Sequence, residues 1–363
     1  MRIITFTPFW LQTKGGITTI VEFLSEYLRK LKNDVFVITW DNGAGAIKLP
    51  RNKLLFILSA IWNFKKIDPD VIHVHASGCF LLPAVIYKTC FSKETKIIFT
   101  FHTNPQINLS TKKSIRERGV LSELFFNLLL KKCDAVSCVS EYILKSLRKP
   151  IIENINPVII YNGTEKREFD SKSIKDFRNK YGIESEFPIL CMVGVFSWDW
   201  KIEGIKILIQ SFKKTTITLP SAKLLIVGEG KYRSFLEGLI RQLSLEGKVI
   251  LTGKMENPFV ALSVCDIYCH ISLNESFGLS VLEAMISRKP VIASNDGGIP
   301  EIITQGYDGL LVKSDPECVS SAILTLAGNA DLRKELVDNA IMTVEARFSW
   351  DKITKEYLKL YQK

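Results

Sequence analysis

The chain has 363 residues, which is longer than the chains that usually form a single hydrophobic core, so two domains are expected. Hydrophobic residues make up 47% of it and charged residues 24%, values typical of a globular protein and not of a disordered or fibrous one. No apolar run approaches the roughly 18 residues that span a bilayer, and "MRIITFTPFW" is too short and too quickly interrupted for a signal peptide. We therefore expect a cytoplasmic protein whose eight cysteines are reduced thiols.

The net charge of +10 is unevenly divided. Residues 1–163 carry 22 Lys and Arg against 12 Asp and Glu, whereas residues 164–363 carry 26 of each. A basic half is typical of a protein with an anionic partner, such as nucleic acid, an anionic membrane surface or a phosphorylated substrate. A lysine-rich surface that only maintains solubility is the alternative. No nucleic-acid motif or exposed aromatic platform accompanies the charge, so nucleic acid is not expected.

In the first half, short apolar runs alternate with helical patterns. The apolar residues of "GGITTIVEFLSEYLRKLKND", for example, recur at the three- and four-residue spacing of an amphipathic helix. Strands that alternate with helices predict a mostly parallel, doubly wound sheet. The predicted strands are Arg2–Thr7, Val35–Thr39, Val71–His75, Lys96–Phe101, Ala135–Val139 and Val158–Tyr161.

A second series of strands follows a polar, charged stretch that is typical of a linker with one short solvated helix. The sequence thus predicts an α/β protein with two Rossmann-like, doubly wound domains, 1–163 and 188–345, joined by the linker 164–187. Ligands of such sheets bind at the carboxyl ends of the strands. The strands predicted for the second domain are Ile189–Val195, Leu224–Val227, Val249–Thr252, Ile267–Ile271, Val291–Ala293 and Leu310–Val312.

Glycines stand in several loops that follow these strands. In "TKGGITTI", Gly15 and Gly16 immediately precede the first helix, whose N-terminus favours an anion. A tight turn that needs glycine is the alternative. "LLIVGEGKY" puts Gly228 at a strand end, where the loop can lie against a nucleotide. "IASNDGGIPEII" puts Gly297–Gly298 before another helix. Together these loops indicate a ligand site more strongly than any one of them.

Histidines end two strands of the first half. His102, in "FTFHTNP", is a candidate hydrogen-bond donor to a phosphate or a substrate hydroxyl. His73 and His75, in "VIHVH", alternate along their strand and so point to the same face. We expect these two to be hydrogen-bonded near the strand end. A metal site is not expected, because no third ligand follows at a useful spacing.

Two carboxylates flank a helix start in "NESFGLSVLEAM". Glu275 precedes the helix, and Glu283 lies one to two turns inside it. Such a pair can bind a metal, act as acid and base, or accept hydrogen bonds from hydroxyls. The alternatives are a carboxylate that only stabilises the helix N-terminus and a solvent-exposed Glu283. Because much of the helix is apolar, Glu283 should have a partner, which ligand hydroxyls would supply.

These motifs together resemble a known family. "NESFGLSVLEAMISRKPVIASNDGGIPEII" resembles the donor-site signature of retaining GT-B glycosyltransferases of the "glycosyl transferases group 1" type, often called family four, with its E-x7-E pair. "TKGGITTI" resembles the N-terminal glycine loop of that family, "FTFHTNP" its histidine segment, and "CVSEYILKSL" with "VIIYNGTEKREF" its entry into the second domain. "FSWDKITKEYLKLYQK" resembles its C-terminal helix. The resemblance implies two domains that face each other across a cleft, with 346–363 crossing back to the first.

The resemblance also implies an activity and site residues. A hexose would pass from a UDP- or GDP-sugar to a saccharide or lipid-linked saccharide with retention of configuration, without a metal or other cofactor. Glu275 would hold hydroxyls of the donor sugar, and Glu283 the ribose hydroxyls. The backbone N–H groups of Ser276, Phe277, Gly278 and Leu279 would face the sugar and the pyrophosphate. Gly228, whose strand-end loop can lie against a nucleotide, is predicted to belong to the same donor site.

The first domain is implied to bind the acceptor and to complete the donor site. Gly15 and Gly16 would approach the donor phosphate, and His102 would lie near the donor sugar as a catalytic residue together with Glu275. These roles follow from the resemblance alone.

One departure concerns the diphosphate clamp. The family pattern G-R-L-x-x-x-K-G corresponds here to "GVFSWDWKIEG", with Val195 in the place of the Arg and Glu203 in the place of the Lys. We expect Lys201 to substitute, with Lys206 or Lys254 as alternatives. If no cation does, the donor binds weakly, and the protein would be a catalytically weak sugar-nucleotide-binding subunit that supports a partner transferase.

The basic first domain fits enzymes that build surface polysaccharides or glycolipids at the inner membrane face. "RNKLLFILSAIWNFKK" and "KKSIRERGVLSELFFNLLLKK" are basic at their ends and apolar between. Peripheral binding of these segments to an anionic membrane surface is one interpretation. Two ordinary core helices are the alternative.

Overall fold

The chain forms two compact units, each built on its own parallel sheet. The first unit comprises Met1–Gly163 with Trp350–Lys363, and the second comprises Thr164–Ser349. The computed structural model gives only the backbone of 78–79 and 120–123. It describes residues 1–8, 15–41, 43, 45–75, 78–103, 120–147, 155–167, 170–183, 186–255 and 257–363.

The first unit contains a seven-stranded parallel sheet in the order β3-β2-β1-β4-β5-β6-β7. The chain changes direction between the neighbouring strands β1 and β4, the kind of point at which open α/β sheets bind ligands. The strands are β1 (Arg2–Phe6), β2 (Asp34–Thr39), β3 (Ala46–Lys48), β4 (Val71–Val74), β5 (Lys96–Phe101), β6 (Ala135–Cys138) and β7 (Val158–Ile159). The helices between them are α1 (Gly16–Lys30), α2 (Lys53–Ile67), α3 (Gly78–Cys90), α4 (Val120–Leu130) and α5 (Glu141–Ser146).

The core of the first unit lies between the central strands and the helices. Strand β1 is buried from Ile3 to Phe6 because both faces of a parallel sheet are covered. Phe6, at its end, is fully buried, and its ring centroid lies 5.3 Å from that of Phe64 in α2 and 4.6 Å from that of Phe80 in α3. These contacts fix the two helices against the sheet below its carboxyl edge.

The second unit contains a six-stranded parallel sheet in the order β10-β9-β8-β11-β12-β13. Its strands are β8 (Ile189–Val193), β9 (Lys223–Val227), β10 (Val249–Gly253), β11 (Ile267–His270), β12 (Val291–Ser294) and β13 (Leu310–Val312). Its helices are α6 (Ser171–Tyr181), α7 (Asp199–Thr218), α8 (Arg233–Gln242), α9 (Phe259–Val264), α10 (Leu279–Ile286), α11 (Pro316–Gly328) and α12 (Ala330–Arg347), with a short 3₁₀ turn at Ile299–Glu301.

The sequence prediction of an α/β protein with two parallel, doubly wound sheets is confirmed. All twelve predicted strands are present, with ends that match or differ by one or two residues. The prediction missed β3, a three-residue strand at the sheet edge that pairs with the end of β2. Its brevity and partial exposure leave no apolar run to recognise.

The segment 164–187, predicted as a linker, groups with the second unit. Its helix α6 is capped by Asp170, whose Oδ1 accepts a hydrogen bond from the Ser173 amide at 2.7 Å. The Tyr181 hydroxyl then donates to the Thr252 carbonyl at 3.1 Å. The segment is polar because much of the helix is exposed, while these contacts attach it to the sheet.

The C-terminal helix α13 (Trp350–Gln362) groups with the first unit, and the chain up to Ser349 groups with the second. The Trp350 ring stacks on Phe23 of α1, with centroids 5.7 Å apart. Glycine is required at 163, because a Cβ there would lie 2.6 Å from the Trp350 ring. At its other end, α13 presents Tyr361 to the strand that carries His73.

Candidate active site

The loop that carries Glu275 follows β11 and is held by the loop that follows β12. The Asn274 amide donates to Oδ1 of Asp296 at 2.6 Å, and the Gly298 amide donates to the Glu275 carbonyl at 2.8 Å. Because β11 and β12 are adjacent parallel strands, both loops leave the same edge of the sheet. The backbone at Glu275 is therefore fixed by its neighbouring loop.

Two glycines give this loop pair its shape. Gly297 has a φ of +62°, and a Cβ there would lie 2.2 Å from the Glu275 carbonyl oxygen. Gly278 has a φ of +106°, and its Cβ would lie 2.5 Å from Cδ1 of Ile299. Gly278 is also the N-cap of α10, which begins at Leu279, so no side chain caps this helix. The N-terminus of α10 therefore keeps its positive dipole end without a side-chain acceptor.

The Glu275 carboxylate lies between two positively polarised groups. Its Oε2 is 3.5 Å from Nζ of Lys201 and 3.2 Å from Nε2 of His270. Burial alone would raise the pKa of Glu275, but Lys201 and His270 outweigh it and hold the pKa well below the usual range. Glu275 is thus an ionised carboxylate with a fixed orientation.

His270 is a site residue that the sequence interpretation missed. Its ring is buried, and Nδ1 lies 3.4 Å from the Tyr268 hydroxyl and 3.3 Å from the Ser280 hydroxyl. Two hydroxyls on one side and the Glu275 carboxylate on the other fix the ring. His270 entered the sequence analysis only as part of the predicted strand Ile267–Ile271. A histidine at the carboxyl end of a strand, the signal used for His102, was available there too.

Lys201 reaches Glu275 because helix α7 packs very closely on the sheet. A Cβ at Gly204 would lie 2.1 Å from the Ile271 carbonyl oxygen, just beyond β11. Only glycine permits this approach, and Lys201 stands one turn before it. The close packing therefore brings the first turn of α7 to the Glu275 loop.

The two positions where the family pattern has cations are occupied differently. Val195 is 43% exposed, and Glu203 pairs with Lys206 at 3.0 Å within α7. Lys206, one of the alternative cations, is therefore engaged by a carboxylate of its own helix. Lys201 is the lysine that the structure brings to Glu275.

Glu283 lies on α10, in the second turn after the uncapped N-terminus. Desolvation by burial raises its pKa to about 7, although the Arg167 guanidinium lowers it. This carboxyl therefore changes charge near neutral pH, unlike Glu275. A ligand whose hydroxyls donate to it would favour the ionised form.

Gly228 has a structural reason for being glycine. Its φ is +148°, and a Cβ there would lie 1.8 Å from the Gly194 carbonyl oxygen. Its amide donates to the Gly253 carbonyl at 3.1 Å. The glycine thus lets the loops after β8, β9 and β10 meet. Its predicted role in donor binding stays a prediction.

In the first unit, His102 lies one residue beyond β5 and joins a group of buried histidines. Its Nε2 is 2.9 Å from Nδ1 of His75. His73 is hydrogen-bonded to the Tyr361 hydroxyl and the Thr100 hydroxyl, each at 2.7 Å. Burial lowers the pKa of His102 to about 4, so the ring is neutral at pH 7.

Gly15 and Gly16 form the N-terminus of α1, and Gly15 is its N-cap without a side-chain hydrogen bond. A Cβ at Gly16 would meet no atom within 4 Å. Packing among the described residues therefore does not require glycine there, in contrast to Gly228. The role predicted for Gly16, a backbone that a phosphate can approach, remains open to test.

The structure assembles the predicted residues into two groups. In the second unit, Lys201 and Glu275 form an ion pair, and the segment 276–279 leads into the helix that carries Glu283. In the first unit, His102 pairs with His75. Within the described ranges, His, Cys, Asp and Glu side chains form no group of three that suits a metal ion.

A helix N-terminus, a fixed carboxylate and a lysine at the carboxyl edge of a parallel sheet suit an anionic ligand rich in hydroxyls. The sequence profile described as "Glycosyl transferases group 1" matches residues 173–342, and that described as "Glycosyltransferase Family 4" matches residues 14–167. The chain therefore belongs to the group 1 glycosyltransferases with the GT-B fold.

Individual relatives agree with this assignment. The chain is 27% identical over 293 residues to N-acetyl-alpha-D-glucosaminyl L-malate synthase of Bacillus anthracis, covering 80% of this chain and 74% of that protein. It is 22% identical to alpha-monoglucosyldiacylglycerol synthase of Acholeplasma laidlawii, covering 94% and 92%. The solved structure of Anabaena HepE in complex with UDP-glucose is similar over 100% of both chains, with a TM-score of 0.81 at 19% identity. The last similarity shows the fold.

Proposed function

We propose that this enzyme transfers a hexose from a UDP- or GDP-sugar to a saccharide or lipid-linked saccharide with retention of configuration. The observation that carries the proposal is the Glu275 carboxylate, held ionised by Lys201 and His270 beside the uncapped N-terminus of α10. A fixed carboxylate binds sugar hydroxyls, while the helix N-terminus and the lysine suit a diphosphate. The sugar and the diphosphate of a nucleotide sugar are thus each matched by a complementary group.

The departing nucleoside diphosphate gains negative charge as the glycosidic bond breaks. The N–H groups of 276–279 and the Lys201 ammonium stabilise that charge, because they are oriented before the reaction. Glu275 holds the sugar hydroxyls, and Glu283 accepts hydrogen bonds from the ribose hydroxyls. The acceptor hydroxyl attacks the face from which the diphosphate leaves, and its proton passes to the departing diphosphate oxygen. Attack on that face retains the configuration.

Residues of the first unit are proposed to act on the same donor. The backbone at Gly15 and Gly16 approaches the phosphate, and the neutral His102 donates a hydrogen bond to the sugar. Among the described residues, a Cβ at Gly16 would meet no atom within 4 Å and Nδ1 of His102 has no hydrogen-bond partner, and both observations support these roles. No metal or other cofactor is required, since Lys201 and the helix N-terminus supply the positive charge.

The names of the relatives support the substrate classes. HepE was solved with UDP-glucose, and the Acholeplasma relative is a synthase of a glucosyl lipid. A phosphatidyl-myo-inositol mannosyltransferase of Mycolicibacterium smegmatis is 24% identical over 100% of this chain. A UDP- or GDP-sugar donor and a lipid-linked acceptor in glycolipid or surface polysaccharide synthesis fit these relatives.

The test is a thermal-shift panel of UDP- and GDP-sugars on the purified protein, followed by product analysis. A donor well above its Kd raises Tm measurably. Hydrolysis or transfer by the protein alone, with retained anomeric configuration by NMR, supports the proposal. Donor binding without turnover supports the alternative, a sugar-nucleotide-binding subunit of a partner transferase. Inversion in the product contradicts the proposed stereochemistry.

The structure also favours the proposed anionic membrane partner. None of the helices in the described part of the chain is long and apolar enough to cross a membrane. Helix α2, however, exposes a set of large apolar side chains, which we call the α2 apolar face. These are Leu54 at 66%, Leu55 at 55%, Leu58 at 56% and Trp62 at 62% exposure.

The charges around the α2 apolar face fit an anionic lipid surface. Residues 51–67 contain four basic side chains and no Asp or Glu. Lys66 lies with its Nζ 5.5 Å from the centre of the Trp62 ring. Apolar insertion with flanking cations is the pattern of a helix that lies in the membrane interface. Of the second predicted segment, residues 112–119 lie outside the described residues, while Leu124, Phe125 and Leu128 of α4 are exposed.

Vesicle flotation tests this partner. We expect the protein to float with phosphatidylglycerol vesicles at low salt and to stay unbound with phosphatidylcholine vesicles. Leu58→Glu and Trp62→Glu should abolish flotation, while Met342→Glu, at an exposed apolar residue of α12, should not. No flotation at low salt would contradict the proposal. A lipid-free dimer that the α2 substitutions dissociate would instead identify a second copy as the occupant of this face.

A further inference from the structure

The histidine pair at the ends of β4 and β5 has a defined geometry. His75 and His102 each follow neighbouring parallel strands by one residue. Nδ1 of His75 lies 2.9 Å from Nε2 of His102, and the two rings are nearly parallel, with an interplanar angle of 28°. The His75 amide donates to the Phe6 carbonyl at 2.9 Å, which anchors His75 to the central strand β1. His75 therefore holds one edge of the His102 ring.

The other nitrogens of the pair have no hydrogen-bond partner among the described residues. These are Nε2 of His75 and Nδ1 of His102, both buried. His73, whose ring centroid lies 3.8 Å from that of His75, differs because hydroxyls bond both of its nitrogens. Burial lowers the pKa of His73 and His75 well below the usual range, so all three rings are neutral at pH 7.

A count of protons selects the tautomers. Each neutral imidazole carries one proton, and the hydrogen bond between the two rings uses one of the two. If His102 supplies it, His75 carries its own proton on Nε2, as a buried N–H without an acceptor. If His75 supplies it, Nε2 of His75 is a bare lone pair, and the proton of His102 lies on Nδ1. Each arrangement leaves one N–H and one lone pair without a partner among the described residues. The second is favoured because it places the N–H on His102, a partly exposed residue, and not on His75, which is 0% exposed, so that a ligand can supply the missing acceptor.

The remaining N–H is then Nδ1–H of His102. We propose that His75 is a positioning residue that fixes the ring and the tautomer of His102, so that Nδ1–H of His102 serves as a neutral hydrogen-bond donor to the donor sugar. The functional part of this inference rests on the proposed role of His102. It gives the "VIHVH" motif a function in the site and assigns His102 a role other than that of a general base.

Nitrogen-15 NMR of the imidazole rings tests the tautomer without any assay of activity. The chain has four histidines, so single substitutions assign all the ring signals. We expect His102 to show the Nδ1-protonated pattern in the wild type and a mixture of tautomers in His75→Leu. His75→Asn, which keeps an amide near the Nδ1 position, should restore the wild-type pattern. Tyr361→Phe is the matched control, because it removes a hydrogen bond from His73 and leaves the pair intact.

Kinetics then test whether the tautomer matters. His75→Leu should lower kcat/KM for the nucleotide sugar about ten-fold, the effect of losing about one hydrogen bond, and His75→Asn should recover most of it. Tyr361→Phe should leave kcat/KM unchanged even if it lowers Tm. An Nε2-protonated His102 in the wild type, or a pattern that His75→Leu does not change, would overturn the inference. So would an unchanged kcat/KM. If the protein turns over no sugar donor, the NMR result still stands, and the failure lies in the proposed function.

Discussion

The two units place candidate sites of opposite electrical character at the ends of similar parallel sheets. In the first unit, burial keeps His75 and His102 neutral, and their orientation comes from hydrogen bonds. In the second unit, Glu275 is ionised between Lys201 and His270, and its orientation comes from charge. One sheet edge thus offers neutral donors, and the other offers fixed charges.

The net charges of the two units do not predict this difference between a neutral and a charged site. The first unit carries 26 Lys and Arg against 14 Asp and Glu, and the second carries 22 against 24. The positive excess of the first unit includes exposed residues around the α2 apolar face, such as Lys53 and Lys65, and its histidine group contributes no charge. The location of a charge, and not the sum over a domain, determines what a site can stabilise.

Substitution of Glu275 should have the largest effect, because it removes the central charge of the site in the second unit. Glu275→Gln removes the charge that holds Lys201 and His270, and it weakens the proposed hydrogen bonds from the sugar. Since hydrogen bonds to a charged group contribute about 1.5–3 kcal/mol each, kcat/KM should fall about 100-fold or more. Steady-state kinetics with the best donor from the thermal-shift panel measure this. Glu203→Gln, at an exposed carboxylate paired with Lys206, is the control and should change kcat/KM less than two-fold or so.

Glu283→Gln should change the stability of the protein and its affinity for the donor in opposite directions at pH 8. The folded-state pKa is about 7, above the ordinary carboxyl value of 4.5, so the folded state favours the protonated form. The free energy of unfolding therefore falls as pH rises from 4.5 through 7, by about 3 kcal/mol in total. Gln cannot ionise, so the variant should be more stable than the wild type by about that amount at pH 8 and not at pH 4.5. Urea unfolding at the two pH values measures it.

Donor binding should respond to pH in the opposite direction. The ribose hydroxyls are proposed to donate to ionised Glu283, so wild-type affinity should rise as pH increases through 7. Glu283→Gln should bind the donor about ten-fold or more weakly at pH 8, with no such rise. Titration calorimetry across this range shows both. A variant with wild-type affinity at pH 8 would contradict the ribose assignment.

Lys201→Met tests which cation serves the diphosphate. The change removes one charged partner of Glu275 and the proposed contact to the donor, so Kd should rise about ten-fold. Lys214→Met, at an exposed lysine of the same helix paired with Glu317, is the control. Loss of binding in Lys206→Met or Lys254→Met, with Lys201→Met unaffected, would transfer the role to one of those residues.

The sequence predicted those features of the sites that depend on local patterns. Strand ends, glycine loops and the spacing of Glu275 and Glu283 follow from periodicity and motif, and the structure has the strands where the pattern placed them. The contact between Lys201 and Glu275 depends on the approach of α7 at Gly204, which brings together residues 74 positions apart. No local pattern contains such a contact.

The hydrogen-bond partners of the histidines could not be predicted from local sequence patterns either. His73, His75 and His270 were all present as strand residues in the sequence, yet nothing local distinguishes a ring bonded to Tyr361 from one bonded to another histidine. Their partners come from a neighbouring strand, the C-terminal helix and a loop. Roles that depend on such partners can be assigned only once the fold is known.

The smallest expected effect is that of substituting Gly16. Packing requires a glycine at Gly228 but not at Gly16. At Gly228 any side chain would collide with the Gly194 carbonyl, whereas at Gly16 a Cβ meets no atom of the described residues within 4 Å. Gly16 is the first residue of α1, where alanine is the better helix former. Gly16→Ala should therefore raise the free energy of unfolding slightly, by up to about 0.5–1 kcal/mol.

If a phosphate approaches the backbone at Gly16, the same methyl group should weaken donor binding several-fold while the fold becomes more stable. Calorimetric Kd and urea unfolding of one protein sample give both numbers. Gly328→Ala, at the end of α11 where a Cβ also meets open space, controls for a general effect of glycine replacement. Higher stability with unchanged affinity would mean that the donor does not touch this helix N-terminus. The positive end of α10 would then be the helix terminus left to serve the diphosphate.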